Sequence, residues 1–458
     1  MATLDGLLQI GRSSLVAHQA AIGIASGNTA NANTVGFARR EISMRSVPGA
    51  GVGIAAVLRR SSSFVEQRVL MSSARFGAHS AKSEGMAAIE TSFDDGGSGV
   101  GARIDAMFAA MRTLSTDPGD LQLRTDVVSR GQAVASAFSA TAASIERERS
   151  SADAAIGVEV ERVNQLAASI AQANRDVGAE RPDTPAWADR VDERERLVHE
   201  LSGLVEVTTL TAGDGSLTIL MHGGPTLVQA GTSSTLRATP DAALGGRNRV
   251  DLIDPSGAAL DVTDSLRGGS IGGRLELRDE TLADLAASLD TLAFDFANAI
   301  NAVHTSGFGS DGATGRDFFA APAVSVGAAG NMGLAAGLSG NPGWVAAAGD
   351  AATAVGGNGG LLGLIGVANS TFAMGGTATA GQAVAAIIAD VGRTSRMERD
   401  AAADTGVQFE QNQALFQSET GVSVDEELID LTRFERAYQA GARIIETVDR
   451  LYEALLSL

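Results

Sequence analysis

The sequence predicts a mainly α-helical fold with an inserted β segment: long N- and C-terminal helices form a coiled-coil-like core domain, beside a helical middle domain and a small β domain. Apolar residues recur at steps of seven at both ends of the chain, which predicts helices with a narrow apolar seam. Short β-rich stretches separated by Gly, Asp and Pro lie between them. The predicted seam, which we take as the assembly interface, comprises Leu4, Leu8, Leu15, Ile22, Val424, Leu431, Phe434, Tyr438, Ile445, Val448, Tyr452 and Leu455.

The composition is that of a globular chain with several domains. Of its 458 residues, 44% are hydrophobic and 19% are charged, which excludes a disordered chain. The formal net charge of -19 argues against a nucleic-acid-binding protein, because such proteins cluster cations at phosphates. The one basic stretch, residues 1–60, is interpreted as a solvated face.

The N-terminal part is predicted to form a helix, a hairpin and a second helix. Residues 3–31 have helical spacing, with Thr3 as the N-cap, and a turn follows. Residues 40–60 alternate around Pro48 and several glycines, which predicts a hairpin or an extended arm. Residues 62–92 return to helical spacing, and residues 94–99 are predicted to break the chain.

The next stretch is predicted to be helical as far as a Pro-rich stop at residues 181–185. Residues 100–145 read as two helices divided at residues 116–120, and residues 151–177 as another. A charged helix follows at residues 187–201, where the interleaved charges predict a solvent-exposed face. Asp192, Glu193 and Glu195 are accordingly assigned to solvation.

The remaining chain is predicted to form a β segment and three further helical stretches. Residues 275–303, 381–420 and 422–456 have helical spacing, whereas residues 305–380 are rich in Gly and Ala and show no clear pattern. The predicted domains are therefore a terminal helical assembly domain (1–60 plus 417–458), a helical middle domain (61–202 plus 275–416, including the Gly/Ala-rich segment 321–380) and an inserted small β domain (203–274).

The sequence shows no spacing of residues that is typical of a catalytic, metal or cofactor site. The chain has no Cys, and its five His residues stand at no ligand spacing from one another. Residues 311–317 read as a Gly/Asp turn rather than a calcium loop, and residues 97–101 lack the Lys and the preceding strand of a phosphate loop. We therefore expect a protein that is not an enzyme and has no catalytic residue, metal or cofactor.

The chain offers no candidate for a membrane span or a cleaved signal peptide. No apolar run reaches the roughly 18 residues that a spanning helix needs. The N-terminus lacks a basic segment followed by an apolar core. The seven-residue spacing is compatible both with a bundle inside one chain and with assembly between chains.

Two motifs at the ends resemble those of the flagellar rod, hook and hook-associated axial proteins. Residues 25–39 resemble the N-terminal motif, with Gly27 in place of the usual Asn, and residues 421–444 resemble the C-terminal motif. Residues 189–201 and 269–278 are similar to the hook-associated members. The resemblance weakens across residues 321–380, which implies a trimmed or absent outer domain. The N-terminal motif residues are Asn28, Asn31, Asn33, Thr34, Gly36 and Phe37.

The resemblance implies a structural component of the bacterial flagellum that forms the junction ring between hook and filament. It implies extracellular location on the flagellum, type III export without a cleaved signal peptide, and assembly through the terminal helices. The implied partners are further copies of the chain, the hook protein, a second hook–filament junction protein and a cytoplasmic export chaperone at the C-terminal helix. Neither nucleic acid nor membrane insertion is expected.

Two alternatives remain at this stage. The first is another axial flagellar protein, of the hook or distal rod, although these lack the long helical middle. The second is a secreted hydrolase or adhesin on a helical stalk, which would need a convergent acid–His site in the β domain.

Overall fold

The chain folds into two compact units, each assembled from separate stretches of sequence. The computed structural model describes residues 3–34, 36–93, 98–320 and 323–457. Unit 1 comprises Met1–Ala78, Gly157–Gly272 and Ala403–Leu458, and unit 2 comprises His79–Ile156 and Gly273–Ala402. The β segment thus belongs to the same unit as the terminal helices. The division into three domains stays a prediction.

The predicted elements at the two ends of the chain are confirmed. Helix α1 (Leu4–Ala30) begins at Thr3, whose hydroxyl accepts a hydrogen bond from the Gly6 N–H at 3.2 Å. Strands β1 (Arg40–Val47) and β2 (Gly51–Arg59) form an antiparallel hairpin with a bulge at Ser43/Met44. The closing helices are α9 (Ala380–Thr420) and α10 (Val424–Leu456).

The predicted interruption between residues 145 and 151 is wrong. Helix α4 runs without a break from Leu121 to Ala179, because its polar run at residues 146–151 contains neither Gly nor Pro. The predicted break at residues 94–99 cannot be compared, since residues 94–97 lie outside the described residues. The other helices of this part are α2 (Ser63–Phe93), α3 (Val100–Leu114) and α5 (Pro185–Leu204).

The inserted β segment is confirmed and consists of two antiparallel sheets. Strand β4 shows the alternation of a half-buried strand, with Leu217, Ile219 and Met221 buried. The first sheet contains β3 (Val207–Thr211), β4 (Leu217–Met221), β5 (Thr226–Gln229) and β6 (Thr232–Ser233), and the second contains β7 (Thr235–Pro240), β8 (Asn248–Ile253) and β9 (Ala259–Asp261).

The helical stretch after the sheets begins earlier than predicted and contains a π-helical turn. Helix α6 (Gly269–Glu276) leads through the turn Leu277–Thr281 into α7 (Leu282–His304). The fully buried Arg278 sits in this turn and pairs with Asp153 and Asp279. A π turn of this kind is a local irregularity within a helix. The spacing of apolar residues in the sequence does not predict it.

The Gly/Ala-rich segment is part of the core of unit 2. Leu338, Val345, Leu361 and Leu364 are buried in one cluster with Phe296 of α7. Helix α8 (Gly359–Val367) supplies Leu361 and Leu364 to this cluster. His304 ties the segment to α7, because its Nε2 accepts a hydrogen bond from the Ala346 N–H at 3.0 Å. Among the described helices, none is long and apolar enough to cross a membrane.

Candidate assembly interface

Helices α1 and α10 pack against each other within one chain. Gly11 allows the close approach: a Cβ added there would lie 2.7 Å from Ile445 Cγ1. Gly441 does the same from the other side, since its added Cβ would lie 3.0 Å from Ser14 Oγ and 3.5 Å from Leu15 Cδ2. Both glycines are buried. The absence of a side chain at both positions therefore lets the two helices approach each other closely.

Some of the predicted seam residues lie in the contact between α1 and α10, and others are exposed at the surface. The His18 and Phe434 rings lie 6.2 Å apart, and the Tyr452 hydroxyl donates a hydrogen bond to Asp5 at 2.6 Å. Val448 is buried, whereas Val424 and Leu455 are exposed. The other predicted seam residues, all half-buried, are Leu4, Leu8, Leu15, Ile22, Leu431, Phe434, Tyr438, Ile445 and Tyr452. Their role in contacts between subunits stays a prediction.

The N-terminal motif forms the end of α1 and the turn into the hairpin. Asn31 caps the helix, and its side-chain amide donates to the Gly27 carbonyl at 2.9 Å. The Thr34 hydroxyl donates to Asn31 Oδ1 at 3.2 Å. Gly36 has a φ of 84°, a conformation that favours glycine. The Phe37 ring lies under the Arg40 guanidinium at 4.6 Å, and Asn33 is exposed.

Asn28, Arg39 and Glu427 form a buried cluster that we call the polar lock. The Asn28 amide donates to the Arg40 carbonyl at 2.8 Å and to Glu427 Oε2 at 3.0 Å, and Asn28 Oδ1 accepts from the Arg40 N–H at 3.1 Å. Arg39 Nε donates to Glu427 Oε1 at 2.7 Å, while its Nη atoms reach Glu426 and Asp430. The lock joins the end of α1 to the first turn of α10.

A second charged cluster joins the hairpin to α5, and it corrects two expectations. Arg40 pairs with Asp189 and Asp192 at 2.7 and 2.8 Å, and Arg59 pairs with Asp192 at 2.7 Å and with Glu195. The exposed side-chain fractions are only 4% for Arg59, 12% for Asp192 and 14% for Glu195. The solvation expected for Asp192 and Glu195 is therefore wrong, whereas Glu193 is exposed as expected. The solvated face expected for residues 1–60 is wrong for Arg39, Arg40 and Arg59, whose side chains are buried; Arg12, Arg45 and Arg60 are exposed.

Burial in this cluster shifts two pKa values strongly. Burial raises the pKa of Glu66 to about 7; the neighbouring Glu195 adds to the rise, while Arg59 and Arg194 oppose it. Burial lowers the pKa of His199 to about 4, with a further contribution from the charge of Arg59. Asp192 and Glu195 accept hydrogen bonds from Arg40 and Arg59. Within the described residues, no group of three His, Asp or Glu side chains is arranged to hold a metal.

Comparison with known families identifies the chain. A family model described as the helical domain of the flagellar hook-associated protein FlgK matches residues 86–319, more than half of the chain. The chain belongs to the FlgK family of flagellar hook-associated proteins. A second model, described as flagellar basal body rod FlgEFG protein C-terminal, matches residues 408–458. The resemblance to the hook-associated members of the axial family, carried by the end motifs and by residues 189–201 and 269–278, is confirmed.

Several curated relatives carry the name flagellar hook-associated protein 1. The Salmonella typhimurium protein is 28% identical over 69% of this chain, and the aligned part spans 59% of that protein. The Escherichia coli protein is 24% identical over 99% of this chain and 100% of its own length. The Bacillus subtilis protein is 25% identical over 98% of this chain. This chain thus spans less than two thirds of the length of the Salmonella relative.

A solved structure has the same fold. The flagellar hook junction protein FlgK from Burkholderia pseudomallei aligns with a TM-score of 0.68 at 16% sequence identity. The alignment covers 78% of this chain and 100% of that one. The predicted fold class, mainly α with inserted β, is confirmed.

Sequence reasoning missed the ion pairs that join the hairpin to α5 and the end of α1 to α10. Asp189, Asp192 and Glu195 stand three residues apart and so share one face of α5, a spacing that is visible in the sequence. Their partners Arg40 and Arg59 flank the hairpin. The sequence offered no comparable signal for Glu427, because its partners Asn28 and Arg39 lie almost a whole chain away.

Proposed function

We propose that the chain forms the junction ring between hook and filament and assembles through α1 and α10. One observation carries this proposal: the first and last helices pair within the chain, yet α10 keeps large apolar side chains exposed near both of its ends. Exposed apolar groups of this kind are typical of surfaces that bind another protein. They are Val424, Leu428, Ile429, Leu451, Leu455 and Leu456.

The proposed partners follow from this location. Further copies of the chain would complete the ring, with the hook protein on one side and a second junction protein on the other. Export would use the flagellar type III pathway without a cleaved signal peptide. A cytoplasmic chaperone would cover the exposed apolar residues of α10 until then, because such residues promote aggregation.

The proposal assigns a structural role without catalysis, cofactor, nucleic-acid binding or membrane insertion. The buried charges of unit 1 support this assignment, since Asp192, Glu195 and Glu427 are each paired with an arginine. An adaptor between two lattices needs a fixed shape, and buried ion pairs restrict the arrangements that a chain can adopt.

The test is complementation of a strain that lacks this chain. Ile429 is 69% exposed, so Ile429→Asp should leave the α1–α10 pair intact and remove an intersubunit contact. We expect hooks without filaments and filament protein released into the medium. Ile445→Asp should give the same phenotype through loss of the α1–α10 pair, since Ile445 lies against Gly11.

Gln439→Asp is the matched control, because it also adds an acid at an exposed position of α10. It should support normal filaments, and immunogold labelling of its flagella should show a band at the hook–filament boundary. Normal filaments on cells that express only Ile429→Asp protein would contradict assembly through this face. A label along the hook or the rod would contradict the junction location.

A further inference from the structure

We propose that Asn28, Arg39 and Glu427 are positioning residues that fix the register in which α1 and α10 align within one chain. All three are buried, and their side-chain hydrogen bonds connect elements that are almost 400 positions apart in sequence. This inference goes beyond the proposed junction role, because it concerns the alignment of two helices inside a single molecule.

The fully buried residues in the middle of α1 define the register weakly. The buried residues there are Ala17, Ala21 and Ala25, which recur every four positions. If α1 slides by one turn, each of these alanines takes the place of another alanine, whichever element packs on it. The contact of Gly11 with Ile445 favours the observed register near the start of α1. At the other end of the helix, the polar lock distinguishes one register from the next.

Backbone groups of the hairpin and of α9 also take part in the hydrogen bonds of the lock. Asn28 bonds to both the N–H and the carbonyl of Arg40, where the hairpin begins. The Arg39 N–H donates to the Thr420 carbonyl at 2.7 Å, at the last residue of α9. Glu427 has a side chain only 3% exposed, so a slip of one turn would leave a buried carboxylate without its partners. A single buried polar group fixes register in coiled coils for the same reason.

Engineered cysteines can report the register, since the chain has no Cys of its own. The Ser14 Cβ lies 3.2 Å from the position of a Cβ added at Gly441, which is within reach of a disulfide after a small adjustment. The pair Ser14→Cys/Gly441→Cys therefore traps the observed register. The pair Ser14→Cys/Ala437→Cys, one turn away on α10, traps a slipped one. Both pairs are made in the full chain and oxidised under identical mild conditions.

We expect the observed-register disulfide to dominate when the lock is intact. Glu427→Gln keeps the shape of the side chain and removes its charge, and it should lower the ratio of observed to slipped crosslink by about tenfold. Asn28→Ala should lower the ratio as well. Glu446→Gln, an exposed acid of the same helix, should leave the ratio unchanged.

Two outcomes would overturn the inference. An unchanged ratio in Glu427→Gln and Asn28→Ala, with a lower melting temperature, would show that the lock only stabilises the pair. A parallel loss of both crosslinks would show that it holds the helices together without choosing their register. Either result leaves the junction role intact, because the measurement uses the isolated chain and not assembly on the flagellum.

Discussion

The arginines of the N-terminal arm act as internal ties at the scale of single residues. Arg39 reaches α10, while Arg40 and Arg59 reach α5, so the hairpin is held from two sides. Burial alone would lower the pKa of Arg59, but Glu195 and Asp192 more than offset this and raise its pKa. The Arg59 guanidinium therefore stays charged within its ion pairs.

Asp192 is the residue whose loss should matter most in this cluster, because it bonds to both Arg40 and Arg59. Asp192→Asn should lower the free energy of unfolding by about 3 kcal/mol, since it leaves two mostly buried arginines with fewer partners. Urea denaturation followed by circular dichroism would measure this. Glu193→Gln is the control: its side chain is 53% exposed and should change stability by less than about 0.5 kcal/mol. Equal effects would contradict the burial of this face.

Glu66 and His199 make the stability of unit 1 depend on pH in opposite directions. The pKa of Glu66 in the fold, about 7, lies above its ordinary value of 4.5, so the folded state binds more protons and stability falls as the pH rises from 4.5 to 7. The pKa of His199, about 4, lies below 6.5, so stability falls as the pH drops from 6.5 to 4. The two contributions oppose each other between pH 4.5 and 6.5.

Removing the Glu66 charge separates the contribution of Glu66 to stability from that of His199. Glu66→Gln should raise the free energy of unfolding at pH 8 by about 2 kcal/mol, because it removes a buried, poorly compensated carboxylate. At pH 4.5 the gain should largely disappear, since Glu66 is then protonated in the fold. Melting temperatures of the variant and the parent across this range would measure the difference. Glu161→Gln, at an exposed position of α4, should show no such trend.

At the scale of elements, the close approach of α1 and α10 depends on Gly11 and Gly441. Gly11→Leu should force the helices apart, because even a Cβ there would meet Ile445, and should destabilise the pair by about 1–3 kcal/mol. Limited proteolysis should then cleave α10 faster. Gly23→Leu makes the same gain in helix propensity at an exposed position with no atom within 4 Å of the added Cβ. It should be neutral or stabilising, and equal protease sensitivity of the two variants would argue against this contact.

The sequence predicts these elements better than it predicts what they bury. Thr3 as N-cap, the hairpin and the closing helices follow from local rules of capping, alternation and periodicity. The burial of Asp192 and Glu195 does not, because a mixed charge pattern looks the same on a solvated helix and on one that faces arginines. The burial of Arg278 in the π turn likewise depends on Asp153, which lies far away in the sequence, on α4.

At the scale of the whole molecule, the Gly/Ala-rich segment is where local patterns fail and packing decides. Apart from the short α8, it is mostly irregular, so periodicity has little to detect. Its glycines allow backbones to meet: a Cβ on Gly360 would lie 2.5 Å from the Ala346 carbonyl oxygen. The segment covers α7 with many small contacts, and its apolar residues are spread too widely to look like a core in the sequence.

Two neighbouring leucines of α8 test whether this segment stabilises unit 2. Leu361 is fully buried in the same cluster as Phe296, whereas Leu362 is 57% exposed. Leu361→Ala should lower the free energy of unfolding by about 3 kcal/mol, the usual cost of a cavity at a buried leucine. Leu362→Ala should cost less than about 0.5 kcal/mol, although the chemical change is identical. Hydrogen exchange should show the loss in α7 as well as in α8, because the two helices share one core. If exchange in α7 stays at the parent level while α8 opens, the segment is an independent cover and not part of the folding unit.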